Sequence, residues 1–214
     1  MLDLQGGVEE HLDHLERIGI TGVRVKDSRQ LSGLAGLIIP GGESTCLGRL
    51  MRIFGLMEPI VREYQQGMRL WGTCAGAILL AAENIGEPSH LGLIDITIER
   101  NAFGSQINSF ITEAIVPRVA DCPLPLTFIR APKILRAGSD VEILLRIDDY
   151  IAAAENEKVL VTVFHPELTS CLEFHRYFAR KCNVTLADEA KATPIDPAWN
   201  RQGWMRYSRI CPAR

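Results

Sequence analysis

The sequence predicts an α/β fold in which helices cover both faces of a mostly parallel sheet. Continuous apolar runs alternate along the chain with amphipathic stretches of helical spacing. Apolar runs of this kind are typical of strands buried on both faces, and their alternation with helices is typical of a parallel sheet. With 47% hydrophobic and 23% charged residues among 214, the composition is that of a globular domain with a core of its own.

Three apolar runs are the clearest strand candidates. They are 34–40 (LAGLIIP), 68–72 (MRLWG) and the β-branched run 159–164 (VLVTVF). The first ends in a proline and two glycines, which is how a buried strand is commonly terminated. We expect these runs to form the centre of the sheet.

Helical spacing of apolar residues predicts helices between and after these strands. The segments are 9–18, 47–64 and 172–182, and the apolar stretch 75–84 (AGAILLAAEN) predicts a helix packed on the sheet. Residues 92–149, punctuated by four prolines, are expected to form shorter strands and loops.

The chain divides into a domain over 1–186 and a C-terminal extension over 187–214. The extension carries three prolines, two tryptophans and four arginines without clear periodicity, and it is expected to be loosely attached.

Charge and cysteine usage exclude several classes of protein. A net charge of −3 gives no general attraction to nucleic acid or anionic membranes. No apolar run is long enough to span a bilayer and no export signal is present, so we expect a cytoplasmic protein. The six cysteines form neither C-x-x-C pairs nor a zinc-spaced cluster. We therefore expect no metal site and no disulfide framework, and most thiols to be small buried apolar groups.

One cysteine has a special context, because Gly72-Thr73-Cys74-Ala75-Gly76 lies between a predicted strand and a predicted helix. This is the G-x-nucleophile-x-G pattern of a nucleophile elbow, whose tight turn requires small flanking residues. The N-terminal N–H groups of the following helix would favour the thiolate. On this motif alone, a glycine-rich turn with a buried cysteine is an equally good interpretation.

A base and its orienting group are found in His165-Pro166-Glu167, directly after the strand 159–164. Side chains two apart in extended backbone point the same way, and Pro166 holds its neighbour extended. Glu167 could bind one imidazole nitrogen and leave the other free to accept a thiol proton. In isolation the tripeptide is better explained as a solvated turn. Its position at a strand end, where open α/β sheets build their sites, favours a catalytic role.

Paired glycines in Pro40-Gly41-Gly42-Glu43-Ser44 follow the first predicted strand. Uncovered backbone N–H groups there suit an oxyanion site, which we place at Gly42 and Ala75. Ser44 is the expected N-cap of the next helix. A plain strand–loop–helix turn remains the alternative.

The first predicted helix carries Glu10, His11 and His14. A metal site is conceivable, but no H-E-x-x-H motif is present. A solvated helix face is the favoured interpretation.

The motifs together resemble class I glutamine amidotransferases, and more closely the glutaminase subunits of pyridoxal 5′-phosphate synthase. The matching segments are LQGGVEEH (4–11), LIIPGGEST (37–45), GTCAGAILLA (72–81), HLGLIDITIERNAFGSQINSF (90–110), FIRAP (128–132) and VLVTVFHPELT (159–169). The resemblance implies a flavodoxin-like three-layer α/β sandwich and a cofactor-free glutaminase that hydrolyses L-glutamine with a Cys74–His165–Glu167 triad. Its partner would be a synthase subunit that uses the ammonia, with a pentose phosphate and a triose phosphate, to make pyridoxal 5′-phosphate.

The resemblance also implies a glutamine pocket. Its residues would be Gly41, Gly42, Glu43, Arg100, Ile129 and Arg130. An arginine can bind the α-carboxylate of an amino acid through two parallel hydrogen bonds, which agrees with this assignment.

The chain departs from the family pattern at Ser105, where arginine is usual, in a short first strand and in the extension 187–214. Two other functions remain open. A stand-alone hydrolase of γ-glutamyl compounds would share the triad but need no partner. A non-catalytic scaffold subunit would have no need of an intact Cys-His-Glu set.

Overall fold

The computed structural model describes residues 1–100 and 109–186. In chain order the elements are α1 (Val8–Arg17), β1 (Gly36–Ile39), α2 (Ser44–Ile53), α3 (Met57–Gln65), β2 (Arg69–Thr73), α4 (Ala75–Leu80), β3 (Ala81–Ile85), β4 (Ile94–Glu99), β5 (Phe110–Val116), β6 (Ala120–Phe128), β7 (Lys133–Ala137), β8 (Glu142–Ile147), β9 (Tyr150–Glu155), β10 (Val159–Thr162) and α5 (Glu173–Lys181). Short 3-10 turns cover Ser28–Gln30 and Pro166–Leu168. Ser105 and the extension 187–214 lie outside the described residues.

The larger sheet has the strand order β1-β2-β10-β9-β7-β4-β3, with β8 paired to β9. Strands β1, β2 and β10 run parallel, and so do β3 and β4, whereas the pairs from β10 through β9 and β7 to β4 are antiparallel. Strands β5 and β6 form a separate antiparallel pair. The α/β architecture agrees with the sequence prediction, and the three clearest predicted strands are the parallel set β1, β2 and β10.

The core lies on these parallel strands. Trp71 of β2 is fully buried, and its ring meets His11 of α1 at a centroid distance of 5.4 Å and Phe178 of α5 at 5.5 Å. Helix α4 packs across β1, β2 and β10. The carboxyl ends of β1, β2 and β10 therefore meet at one sheet edge, framed by helices.

Two local predictions were wrong, and a third element is shorter still than predicted. The predicted helix 75–84 ends at Leu80, because the chain turns extended at Ala81 and continues as β3, which pairs with β4. The predicted helix 47–64 is two helices, since Gly55 adopts a φ of +62° after α2. The expected first strand is a single bridge from Leu2 to Val25, although the Leu2 N–H also donates to Ile38 O at 2.9 Å.

The cysteines also differ from expectation. Cys46 and Cys122 are exposed and Cys171 and Cys182 are partly buried, so that Cys74 alone is buried within 1–100 and 109–186. Cys46 faces outward from the first turn of α2, and Cys122 lies on the exposed part of β6. No helix in these two ranges is long and apolar enough to cross a membrane.

Candidate active site

Cys74 occupies a strained turn between β2 and α4. Its φ of 47° and ψ of −101° lie in a region that side-chain-bearing residues rarely adopt. The flanking glycines make the turn possible: a Cβ at Gly72 would lie 2.5 Å from the Gly76 carbonyl, and a Cβ at Gly76 would overlap Ile39 O. The strand–turn–helix geometry predicted for a nucleophile elbow is therefore present, with Cys74 in the turn between the end of β2 and the start of α4.

Backbone hydrogen bonds fasten this turn to the end of β10. The Cys74 N–H donates to Thr162 O at 2.8 Å, and the His165 N–H donates to Thr127 O, also at 2.8 Å. His165 follows β10 by three residues and is only 3% exposed. Its imidazole shares a hydrogen bond with the Cys74 thiol. Two loops separated by about ninety residues thus meet at one point.

Glu167 holds the opposite side of this imidazole. His165 Nδ1 lies 2.7 Å from Glu167 Oε1, and the carboxylate is fully buried. Burial alone would lower the pKa of His165, but the Glu167 carboxylate and then Cys74 outweigh it, so the pKa is raised well above its ordinary value. Burial would raise the pKa of Glu167, yet His11 and His165 outweigh it and the pKa is lowered. The geometry therefore favours an ionised carboxylate beside a basic imidazole.

The loop after β1 closes over the thiol and the imidazole. A Cβ at Gly41 would overlap His165 Cε1 and lie 3.3 Å from Cys74 Cβ, so only glycine fits. The Gly41 N–H donates to Thr73 Oγ1 at 2.8 Å. Gly42 lies against the Gln5 side chain, whose Oε1 accepts the Glu43 N–H at 3.0 Å. Sulfur, imidazole and the paired glycines are thus adjacent.

Glu43, and not Ser44 as predicted, caps α2. Its carboxylate accepts the N–H groups of Thr45 at 3.2 Å and Cys46 at 2.7 Å, while Ser44 is the first helical residue and its hydroxyl is buried. Burial would raise the pKa of Glu43, but these N–H groups and Arg100 outweigh it and lower the pKa. A carboxylate has two oxygens, and here each accepts one of the orphan N–H groups at the start of the helix.

The remaining predicted pocket residues fall into two groups. Arg100 reaches the loop after β1, where Nη2 lies 2.6 Å from Glu43 Oε1 and Nη1 donates to Thr45 Oγ1 at 2.5 Å. Ile129 and Arg130 follow β6, whose Thr127 carbonyl binds the His165 N–H. Arg130 is exposed with a φ of 44°. Arg100 is thus held at the loop after β1, and Ile129 and Arg130 directly follow the strand that binds the His165 backbone.

Sequence reasoning gave no role to Thr73 or Gln5, and it weighed His11 only as a conceivable metal ligand before favouring a solvated helix face. Thr73 Oγ1 and the Gln5 amide tie the glycine loop in place, and His11 Nε2 lies 3.4 Å from Glu167 Oε2. The signal that could have found two of them is the segment 4–11, which resembles the family although it lies far from the elbow.

The solvated face expected for α1 is wrong. His11 and His14 are fully buried and Glu10 is 9% exposed, because α1 turns these residues towards α5 and the sheet. His14 contacts two carbonyl oxygens, Glu10 O at 2.8 Å and Thr169 O at 3.0 Å. In the part of the chain that the structure describes, no group of three or more His, Cys, Asp or Glu side chains could hold a metal ion.

Known proteins resemble this chain over most of its length. Residues 1–184 match the SNO glutamine amidotransferase family. The chain is 60% identical over 208 residues to the "Pyridoxal 5′-phosphate synthase subunit PdxT" of Syntrophus aciditrophicus, covering 97% of this chain and 93% of that one. It is 47% identical over 182 residues to the protein of the same description from Clostridium acetobutylicum, covering 84% and 97%. A solved structure, "Crystal structure of glutamine amidotransferase", superposes with a TM-score of 0.81 at 41% identity, covering 86% and 97%.

The family match spans most of the chain, and it includes every residue of the strand-end cluster formed by the glycine loop, the elbow and His165-Pro166-Glu167. The solved relative shares the class I glutamine amidotransferase architecture, which is the fold predicted from the sequence. The chain belongs to the SNO glutamine amidotransferase family.

Proposed function

We propose that this chain is a glutaminase that hydrolyses L-glutamine to L-glutamate and ammonia, and that Cys74, His165 and Glu167 are its catalytic residues. One observation carries the proposal: the thiol, imidazole and carboxylate lie in hydrogen-bonding order at the carboxyl ends of β2 and β10. An acyl-transfer enzyme needs this order, because the carboxylate must fix the ring before the ring can accept a proton.

The first half of the reaction forms a thioester. The His165 nitrogen that faces the thiol takes its proton, and the Cys74 sulfur attacks the side-chain amide carbon of glutamine. The carbonyl oxygen becomes an oxyanion. When the tetrahedral intermediate collapses, the C–N bond breaks and His165 gives its proton to the departing nitrogen, which leaves as ammonia.

The second half releases glutamate. His165 accepts a proton from water, the oxygen attacks the thioester carbon, and the C–S bond breaks with return of the proton to sulfur. Glu167 stays ionised throughout and stabilises the imidazolium that forms twice. Its lowered pKa and the raised pKa of His165 support this division of labour.

Two backbone N–H groups are proposed as oxyanion donors. Ala75 is the first residue of α4, so its N–H has no acceptor within the helix. Gly42 lies in the loop that closes over Cys74, next to Gly41. A donor of this kind contributes about 3 kcal/mol to the transition state in comparable enzymes.

Substrate recognition is assigned to the surrounding charges. Arg100 is proposed to bind the α-carboxylate of glutamine, and Ile129 and Arg130 are proposed to complete the pocket. Glu43 already binds Arg100 through one oxygen, so glutamine would share this guanidinium with Glu43 rather than meet an unpaired cation. A planar guanidinium has enough donors for both carboxylates.

The ammonia is proposed to feed a synthase subunit that makes pyridoxal 5′-phosphate. The described function of the two relatives, as subunits of pyridoxal 5′-phosphate synthase, supports this partner. A stand-alone hydrolase would release ammonia at the same rate without any partner, whereas a scaffold subunit would release none.

The test is ammonia release from glutamine by the purified chain, with and without the synthase subunit of the same organism. We expect a rate that rises on addition of the synthase and vanishes in Cys74→Ala. Mass spectrometry should find a covalent adduct on Cys74 after treatment with an electrophilic glutamine analogue. Full activity in Cys74→Ala would refute the nucleophile, and a rate independent of the synthase would favour the stand-alone hydrolase.

A further inference from the structure

Behind the proposed triad lies a chain of buried histidines that the reaction as written does not use. His11 of α1 and His175 of α5 are both fully buried, and His11 Nδ1 lies 2.8 Å from His175 Nε2. The other nitrogen of His11, Nε2, lies 3.4 Å from Glu167 Oε2 and 3.3 Å from Thr73 Oγ1. The chain therefore runs from α5 through α1 to the carboxylate that orients His165.

Glu167 needs a second donor. Its Oε1 is occupied by His165 Nδ1 at 2.7 Å, but within the described residues Oε2 makes no hydrogen bond, and His11 Nε2 approaches it to 3.4 Å without making one. A buried carboxylate oxygen without a donor is costly. Hydrogen bonds of active sites are commonly long before substrate binds, and a shift of a few tenths of an ångström would close this one.

The protonation of the two histidines follows from their partners. If His11 carries its proton on Nε2, Nδ1 must accept from His175 Nε2, and His175 Nδ1 is left as an acceptor. That atom has no hydrogen-bond partner in the described part of the chain, and an unpaired acceptor costs less than an unpaired donor. The opposite tautomer would leave an N–H of His175 unpaired and would turn the lone pair of His11 Nε2 towards a carboxylate. Both consequences are unfavourable.

Burial keeps both rings neutral, as this arrangement requires. Desolvation is the largest influence on His11 and lowers its pKa to about 4, despite the opposing attraction of Glu167. Desolvation likewise lowers the pKa of His175 well below its ordinary value, with His14 and His11 acting in the same direction. A neutral imidazole can donate only one proton, so the direction of each hydrogen bond is fixed.

We propose that His11 is a positioning residue of the active site, which donates its Nε2–H to Glu167 Oε2 and so fixes the carboxylate that orients His165. The inference rests on the function proposed above. A carboxylate held at both oxygens cannot rotate about its last carbon–carbon bond, so Oε1 stays on His165 Nδ1. His175 in turn fixes the ring of His11, and the same Nε2–H lies near the Thr73 hydroxyl that accepts the Gly41 N–H.

Three variants of the full chain, assayed with the synthase subunit, test this role. His11→Leu removes the hydrogen-bond donor and fills its volume with an apolar side chain. His11→Gln restores an N–H near the position of Nε2. Leu15→Ala is the matched control, since it opens the same helix face without touching Glu167. For His11→Leu we expect kcat to fall by about 10-fold to 100-fold, the range of a lost hydrogen bond to a charged group, with little change in KM for glutamine.

The pH profile separates positioning from loss of structure. Without its second donor Glu167 becomes easier to protonate, so the acidic limb of kcat/KM should move to higher pH in His11→Leu. His11→Gln should recover part of kcat and return the limb towards its original position, and Leu15→Ala should leave the limb unchanged. A folded His11→Leu with the kcat of the parent chain would overturn the inference, and so would an equal loss with an equal pH profile in Leu15→Ala.

A spectroscopic measurement keeps the inference testable apart from glutaminase activity. The ¹⁵N chemical shifts of the imidazole nitrogens should show His11 protonated on Nε2 and unprotonated on Nδ1. A proton on Nδ1 of His11 would overturn the inference even in an active enzyme. If the parent chain released no ammonia but showed the expected tautomer, the proposed function would fail while the hydrogen-bond assignment held.

Discussion

Replacing Gly41 with alanine tests how closely the glycine loop is fitted to the imidazole. The new Cβ would overlap His165 Cε1 and lie 2.9 Å from its Nδ1, where ordinary contact requires a separation larger by about half an ångström. The backbone cannot retreat freely, since the Gly41 N–H is held by Thr73 Oγ1 and the Gly41 carbonyl accepts from Gly7 at 3.1 Å. The ring must therefore move, and its 2.7 Å bond to Glu167 must lengthen.

We expect Gly41→Ala to lower kcat for glutamine hydrolysis by about 100-fold, since a displacement of about 1 Å in a catalytic group costs that much. The overpacked site should also lose about 1–3 kcal/mol of stability. Steady-state ammonia release and urea unfolding measure the two effects. Gly33→Ala is the matched control: its φ of +76° makes alanine costly by about 1 kcal/mol, but nothing lies within 4 Å of its Cβ position, so kcat should not change. If Gly41→Ala kept more than half of the parent kcat, the fitted-loop argument would be wrong.

Three further changes have outcomes that follow from single contacts. Thr73→Val leaves the buried Gly41 N–H without its acceptor. The free energy of unfolding in urea should therefore fall by about 1–3 kcal/mol, and glutaminase activity should fall as well. Thr73→Ser keeps the hydroxyl and should lose little of either. Cys74→Gly and Cys74→Ala should both be inactive, but the glycine variant should be the more stable by about 1 kcal/mol, because only glycine relieves a φ of +47°. Burial lowers the pKa of His11 to about 4 from 6.5, so its contribution to stability is complete above pH 6.5 and is lost as the pH falls through 4. The free energy of unfolding should therefore decline over this window more steeply in the parent than in His11→Leu, by at most about 3 kcal/mol, and parallel curves would contradict the assignment of a neutral buried ring.

The sequence was sufficient for the parallel centre of the fold, because its three strands are largely apolar, with Arg69, Thr73 and Thr162 as the exceptions. It failed where neighbouring strands decide the outcome. The apolar stretch after Cys74 has helical character throughout, yet Ala81–Ile85 joins the sheet by pairing with β4, a strand that begins nine residues further on. No property of the segment itself distinguishes these alternatives, since strand preference depends on the partner surface.

The proposed site residues at the strand ends were accessible to sequence reasoning for a related reason. A nucleophile elbow leaves a local pattern of small residues, and Glu167 is tied to His165 by two peptide bonds, so both can be inferred before any folding is considered. His11 leaves no such pattern. Its partners lie in α5 and in the loop after β10, 164 and 156 positions away, and its helix has the charged flanks of an ordinary surface helix. The face of α1 that carries His11 was expected to be solvated but is buried, and only the packed structure could reveal this.

The buried histidines and the glycine loop explain together why a polar chain is retained in a place where apolar residues would pack more simply. An apolar replacement of His11 could fill the same volume, and for stability alone such exchanges are often neutral or favourable. It could not hold Oε2 of Glu167, and the Thr73 hydroxyl that anchors Gly41 lies 3.3 Å from the same nitrogen. One imidazole thus adjoins the supports of both the proposed general base and the proposed oxyanion loop. A site that must hold two loops in a fixed relative position gains from a rigid support that both loops share. This gain accounts for the burial of a neutral histidine, whose lowered pKa shows how strongly its charged form is disfavoured there.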